Sequence, residues 1–133
     1  MRKYSLFLLL STASICANVG ATDVDMADLI VGTWGKPIAL DSEMGRISIT
    51  YSADGSLNTV ISMTIENHTV DEIVAVGTWS VNGDNLTFVD EDCDDKLGYY
   101  KIVSVDKNNL RLSLISDTCE GRSVEIADNW MRE

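Results

Sequence analysis

Histidine, proline and basic side chains are scarce in this chain. Its 133 residues include one His, one Pro and three Cys, and 10 Lys+Arg stand against 21 Asp+Glu for a net charge of −11. Each shortage closes off a class of chemistry. With one histidine a three-His zinc site cannot be built, and imidazole catalysis would have to use His68. With so few cations the chain lacks the basic footprint that nucleic acid and anionic membrane surfaces require. It carries no Gly-x-Ser-x-Gly elbow, no phosphate-binding loop and no dinucleotide fingerprint. It is therefore read as a non-enzyme needing no cofactor. Beyond residue 21 no run is apolar enough to span a bilayer, and no long 3.6-residue period marks a helical domain.

What is present is an ordinary apolar fraction of 45%, enough for one folded domain. Residues 1–21 read as a secretory signal peptide. Arg2 and Lys3 form a positive start, Tyr4 to Cys16 an apolar stretch, and Val19-Gly20-Ala21 a small-residue cleavage site. A lipid-bearing Cys16 is the rival, but bulky Ile15 precedes it and makes a poor lipobox. Cleavage would leave residues 22–133, 112 in all, and loss of Arg2 and Lys3 would move the net charge from −11 to −13. It would also remove Cys16. Cys93 and Cys119 are then an even pair in an oxidising compartment, which predicts one disulfide. The expected location is periplasmic or secreted.

The remainder alternates short apolar runs with turn signals. Met26–Val31 is expected to make a helical turn before the first strand. Ile47, Ile49 and Tyr51 share one face of a strand, and Asp54-Gly55 supplies the positive φ of a hairpin. Leu57, Thr59, Ile61, Met63 and Ile65 share the next face, and Glu66 to Thr69 is a polar tip. Ile73, Ala75, Gly77 and Trp79 follow on one face, then the Asn82-Gly83-Asp84 turn. Leu86 and Phe88, Tyr100–Val105, Leu110–Leu114 and a last short strand at Ser123–Ile126 complete eight strands. Short sequential hairpins without a long crossover predict an all-β fold, a small up-and-down antiparallel barrel.

Val31-Gly32-Thr33-Trp34 returns as Val76-Gly77-Thr78-Trp79. The first copy opens the first strand, and the second leads into a Gly-Asp hairpin. On these residues the chain resembles the lipocalins and the wider calycin superfamily. The resemblance implies that Trp34, beside Gly32, packs at the closed end of the barrel under an arginine from a late strand. Arg111 or Arg122 is available for that structural role. The avidins share a Gly-Thr-Trp opening, but their later Trp-rich strands are absent, so biotin is not expected.

Strand alternation nominates Tyr51, Met63, Trp79, Phe88 and Tyr100 as pocket lining. The run Asp90-Glu91-Asp92-Cys93-Asp94-Asp95 is rich in carboxylates but lacks the spacing of a calcium loop, so no metal is assigned. His68 is read as a solvated turn residue. The functional expectation is an exported lipocalin-like binding protein holding a small hydrophobic ligand. The alternative is a ligand-free barrel acting as an interaction module, an inhibitor or immunity-type partner of a basic secreted protein.

Overall fold

The computed structural model describes residues 25–40 and 43–133. The expected signal peptide and its cleavage site lie outside them. Asp25 caps a short helix α1 (Met26–Ile30), accepting the Ala27 N–H at 3.0 Å. Eight strands follow: β1 (Gly32–Leu40), β2 (Glu43–Tyr51), β3 (Ser56–Ile65), β4 (His68–Asn82), β5 (Asn85–Asp90), β6 (Leu97–Val105), β7 (Asn109–Asp117) and β8 (Asn129–Arg132). A 3₁₀ turn at Glu91–Cys93 lies between β5 and β6, and helix α2 (Glu120–Ile126) lies between β7 and β8. The strands form a closed barrel in which each pairs antiparallel with its chain neighbours, and β1 pairs with β8. The up-and-down barrel read from the turn spacing is the observed architecture.

The turns work as their residues dictate. Gly55 has φ +91°, and Asp54 accepts the Ser56 N–H at 2.9 Å. Glu66 and Asn67, both with positive φ, make the two-residue link between β3 and β4. Gly83 takes φ +65° between β4 and β5. Asp106 accepts the N–H groups of Asn108 and Asn109 at 2.8 and 2.7 Å and so fixes the β6–β7 turn.

Two expectations fail. Ser123–Ile126 is not a strand but the second half of α2, and the last strand is Asn129–Arg132. The alternation of Val124 and Ile126 mimics a strand. In the helix Ile126 is buried while Val124 is 78% exposed. Ile73 does not share the inner face with Ala75 and Trp79. The β3–β4 register shifts between Thr59 and Val60, so that Thr59 meets Ala75 and Val60 meets Ile73. This bulge inserts Val74 as an extra residue and turns Ile73 outward, 66% exposed.

The core runs along the barrel axis. Trp34, Trp130, Tyr51 and Tyr100 are its largest fully buried side chains. The two glycines of the repeated tetrapeptide serve different ends. A Cβ on Gly32, at φ +135°, would lie 2.4 Å from the Arg132 guanidinium, and one on Gly77 would lie 1.8 Å from the Val89 carbonyl oxygen.

Candidate functional site

The barrel has two unlike ends. At one end stand the β2–β3, β4–β5 and β6–β7 hairpins with α1. Trp34 donates its indole N–H to the Ile30 carbonyl at 2.8 Å, which satisfies the C-terminus of α1. The Arg132 guanidinium lies 4.1 Å from the Trp34 ring centroid. It donates to the carbonyls of Val31, Leu29 and Lys107 at 3.0, 2.9 and 2.6 Å. The arginine over Trp34 is thus Arg132 rather than Arg111 or Arg122. The last strand falls later in the chain than its apolar spacing suggests, and this brings Arg132 opposite Trp34 in the β1–β8 register. Arg111 is exposed on β7 and borders a shallow surface groove beside Asn129.

The other end holds the 3₁₀ turn, α2 and the Cys93–Cys119 disulfide, whose Cα atoms are 5.9 Å apart. Here a cavity of about 250 Å³ enters the barrel. Its walls are apolar: Ile38 from β1, Ile47 and Ile49 from β2, Leu57 and Ile61 from β3. Val74 and Ala75 from the bulged β4, Phe88 from β5 and Ile126 from α2 complete them, and Thr59 adds a hydroxyl. The bulge matters to the cavity, because it aims both Val74 and Ala75 inward. The rim is polar, with Asp90, Asp92, Arg122 and Glu125 beside the disulfide.

Arg122 is fixed on all sides. Its Nε and Nη2 grip the two oxygens of Asp117 at 2.7 and 2.8 Å, and Nη2 also donates to the Lys96 carbonyl at 2.7 Å. Nη1 reaches Asp90 Oδ2 at 3.3 Å, and the guanidinium lies 5.4 Å from the Phe88 ring centroid. Asp90 Oδ1 accepts the Cys93 N–H at 3.0 Å, anchoring the 3₁₀ turn. Tyr100 stacks on Phe88 with ring centroids 5.2 Å apart and hydrogen-bonds its hydroxyl to Asp117. Burial would raise the Asp117 carboxyl, but hydrogen bonds from Arg122, Tyr100 and the Cys119 N–H outweigh it and hold it below the usual carboxylate range. Burial, and then the bond to Asp117, pushes the Tyr100 hydroxyl upward.

A second cation lies inside the barrel. Lys36 is 8% exposed and packs 4.9 Å from the Trp130 ring centroid. It donates to the Glu125 carbonyl and to Asp128 Oδ2, both at 2.7 Å, and lies 3.1 Å from Glu125 Oε1. The hydrogen bond from Lys36 lowers the Asp128 pKa. Trp130 in turn donates to the Ile126 carbonyl at 3.1 Å, capping α2 as Trp34 caps α1.

Of the nominated pocket residues, Phe88 lines the cavity. Tyr100 is buried behind it. Tyr51 and Trp79 meet edge to face, with centroids 5.4 Å apart, and fill the barrel toward the hairpin end. The Trp79 indole is occupied by the Ser52 carbonyl at 2.9 Å. Met63 is half-buried on β3 opposite Gly45, outside the cavity wall. His68 is exposed at the start of β4. Asp90 is buried, while the other acids of the run are exposed and Asp92 among them borders the cavity. Among the described residues no three His, Cys, Asp or Glu side chains gather as a metal-binding group. The residues that sequence reasoning missed are the aliphatic wall and the inward acids. The local signal for them is the disulfide, which ties the Asp90 turn to the helix bearing Arg122. No protein-family model matches this chain, and no curated protein or solved structure matches it.

Proposed function

We propose that this chain is an exported lipocalin-like binding protein that holds a small, largely apolar ligand in the mouth of its barrel. The cavity of about 250 Å³ is the observation that carries this reading. Eight-stranded barrels are either filled by their own side chains or hold one small ligand, and an aliphatic cleft with a few polar groups at one end suits the second use. The volume lies just below the roughly 300–1,000 Å³ of drug-sized sites, which restricts the ligand to one or two fused rings or a short chain. A barrel serving only as a docking surface has no need of such a cleft.

Kinship with the lipocalins is supported by the eight-stranded meander and by Arg132 stacked over Trp34 behind Gly32. Export is supported by the signal-like residues 1–21 and the disulfide. No helix among the described residues is long and apolar enough to cross a membrane.

The test is ligand capture. Protein purified from an exporting host is examined by native and denaturing mass spectrometry, then titrated with a fluorescent naphthalene probe. A co-purified small molecule, or saturable probe binding blocked by Val74→Phe, supports the reading. A clean mass together with no saturable binding overturns it.

A further inference from the structure

The cavity walls are apolar, but the charged residues that line it are unevenly balanced, with Asp90, Asp92 and Glu125 against Arg122. Arg122 faces two carboxylates, Asp117 and Asp90. Lys36, outside the cavity lining, likewise faces two, Glu125 and Asp128. Each buried cation is therefore outnumbered, and Asp92 adds a further carboxylate to the cavity lining. The cations are also spent. Arg122 has five N–H groups and uses four of them, on Asp117, Asp90 and the Lys96 carbonyl. One Nη1 N–H is left over, and an anionic ligand could gain more than that only by displacing a carboxylate that is already seated.

Acceptor capacity, by contrast, is left over. The Asp90 carboxylate offers about four lone-pair sites. It accepts the Cys93 N–H at 3.0 Å and a long contact from Arg122 at 3.3 Å. Asp90 is 6% exposed and belongs to the cavity lining, so its remaining lone pairs have little access to bulk water. Partly desolvated carboxylates of this kind favour a charged donor.

We infer that the ligand of this cavity has an apolar body and a cationic, hydrogen-bond-donating head, a small ammonium or amidinium compound, with the head at Asp90 and Asp92 and the body against Ile47, Leu57 and Phe88. This assignment rests on the cavity being a binding site.

Three probes of one shape separate the two ideas: 3-phenylpropylamine, 3-phenylpropanol and 3-phenylpropionate, each titrated into the purified protein by calorimetry and by NMR. The amine is expected to bind at least about tenfold more tightly than the alcohol, the effect of one charge-assisted hydrogen bond. The carboxylate is expected to bind most weakly. Asp92→Asn, an exposed position, should narrow the preference for amine over alcohol, and added salt should do the same. Equal binding of amine and alcohol, or tightest binding by the carboxylate, overturns the cationic head and leaves the apolar site standing. No binding by any of the three overturns the cationic head, and together with a clean mass and no saturable binding of the naphthalene probe it overturns the apolar site as well.

Discussion

Trp34 and Trp130 stand on the two strands that close the barrel, and each is covered by a cation from the other strand. Arg132, two residues beyond Trp130, lies over Trp34, and Lys36, two residues beyond Trp34, lies over Trp130. Each indole also donates to the last carbonyl of the helix that precedes its strand. The seam is thus a reciprocal clasp, with one half at the hairpin end and one toward the cavity. Removing Arg132 should open the first half. Arg132→Ala loses the stacking on Trp34 and three carbonyl contacts, and should cost about 3 kcal/mol in urea denaturation. Arg132→Lys keeps the charge but not the planar fork, and should recover about half of that.

The disulfide should matter to both stability and binding. Cys93 and Cys119 are 26 residues apart, so replacing both with Ala should cost about 3 kcal/mol through the unfolded chain. Because the bridge joins the Asp90 turn to α2 at the cavity rim, probe affinity should fall as well. Titration of oxidised and reduced protein checks both effects.

Acid should destabilise the fold through Asp117 and Asp128. Both have folded pKa values below their ordinary ones. Their contribution is therefore complete above the unfolded value of about 4 and is lost as pH falls through the lower folded values. Thermal melts should hold steady from pH 7 to about 5 and drop below about 4. Asp128→Asn, at a partly exposed site, should flatten part of that drop. Asp117→Asn leaves Arg122 underpaired and should cost about 3 kcal/mol at neutral pH. A melting temperature that rises on acidification would contradict this account.

Two glycines should respond oppositely to alanine. Gly77 has the Val89 backbone against it, so Gly77→Ala should destabilise by at least about 2 kcal/mol through overpacking. Gly121 lies in α2 with open space where an alanine methyl would sit, so Gly121→Ala should gain about 0.5–1 kcal/mol. Paired denaturation curves decide both.

The strand order was legible in the sequence because turn chemistry is local. Asp54-Gly55 and Asn82-Gly83-Asp84 mark hairpins without reference to the rest of the fold. Inner faces were legible where alternation ran unbroken, as for Ile47, Ile49 and Tyr51. They failed at Val74, where one inserted residue reverses the face, and at Ser123–Ile126, where a helix carries its apolar residues at strand-like spacing. The cavity was legible only through Phe88. Whether an inward residue lines a space or fills one depends on what stands opposite it, and Tyr51 with Trp79 fills its level of the barrel while Ile47 and Ala75 leave room. The inward turn of Asp90 depends on Arg122, 32 positions away, and no local pattern announces it.

The seam has a consequence for the order in which the fold assembles. Every other strand pairing joins neighbours in the chain, most through short turns and β7–β8 through α2. The β1–β8 pairing spans nearly the whole domain and matches only Trp34 with Arg132 and Gly35 with Met131. Loop-closure entropy must be met before those few contacts offer any return. Barrel closure is therefore expected to be a late event of folding. Amide hydrogens along β8 should exchange with solvent through local opening, sooner than those of the long β3–β4 hairpin.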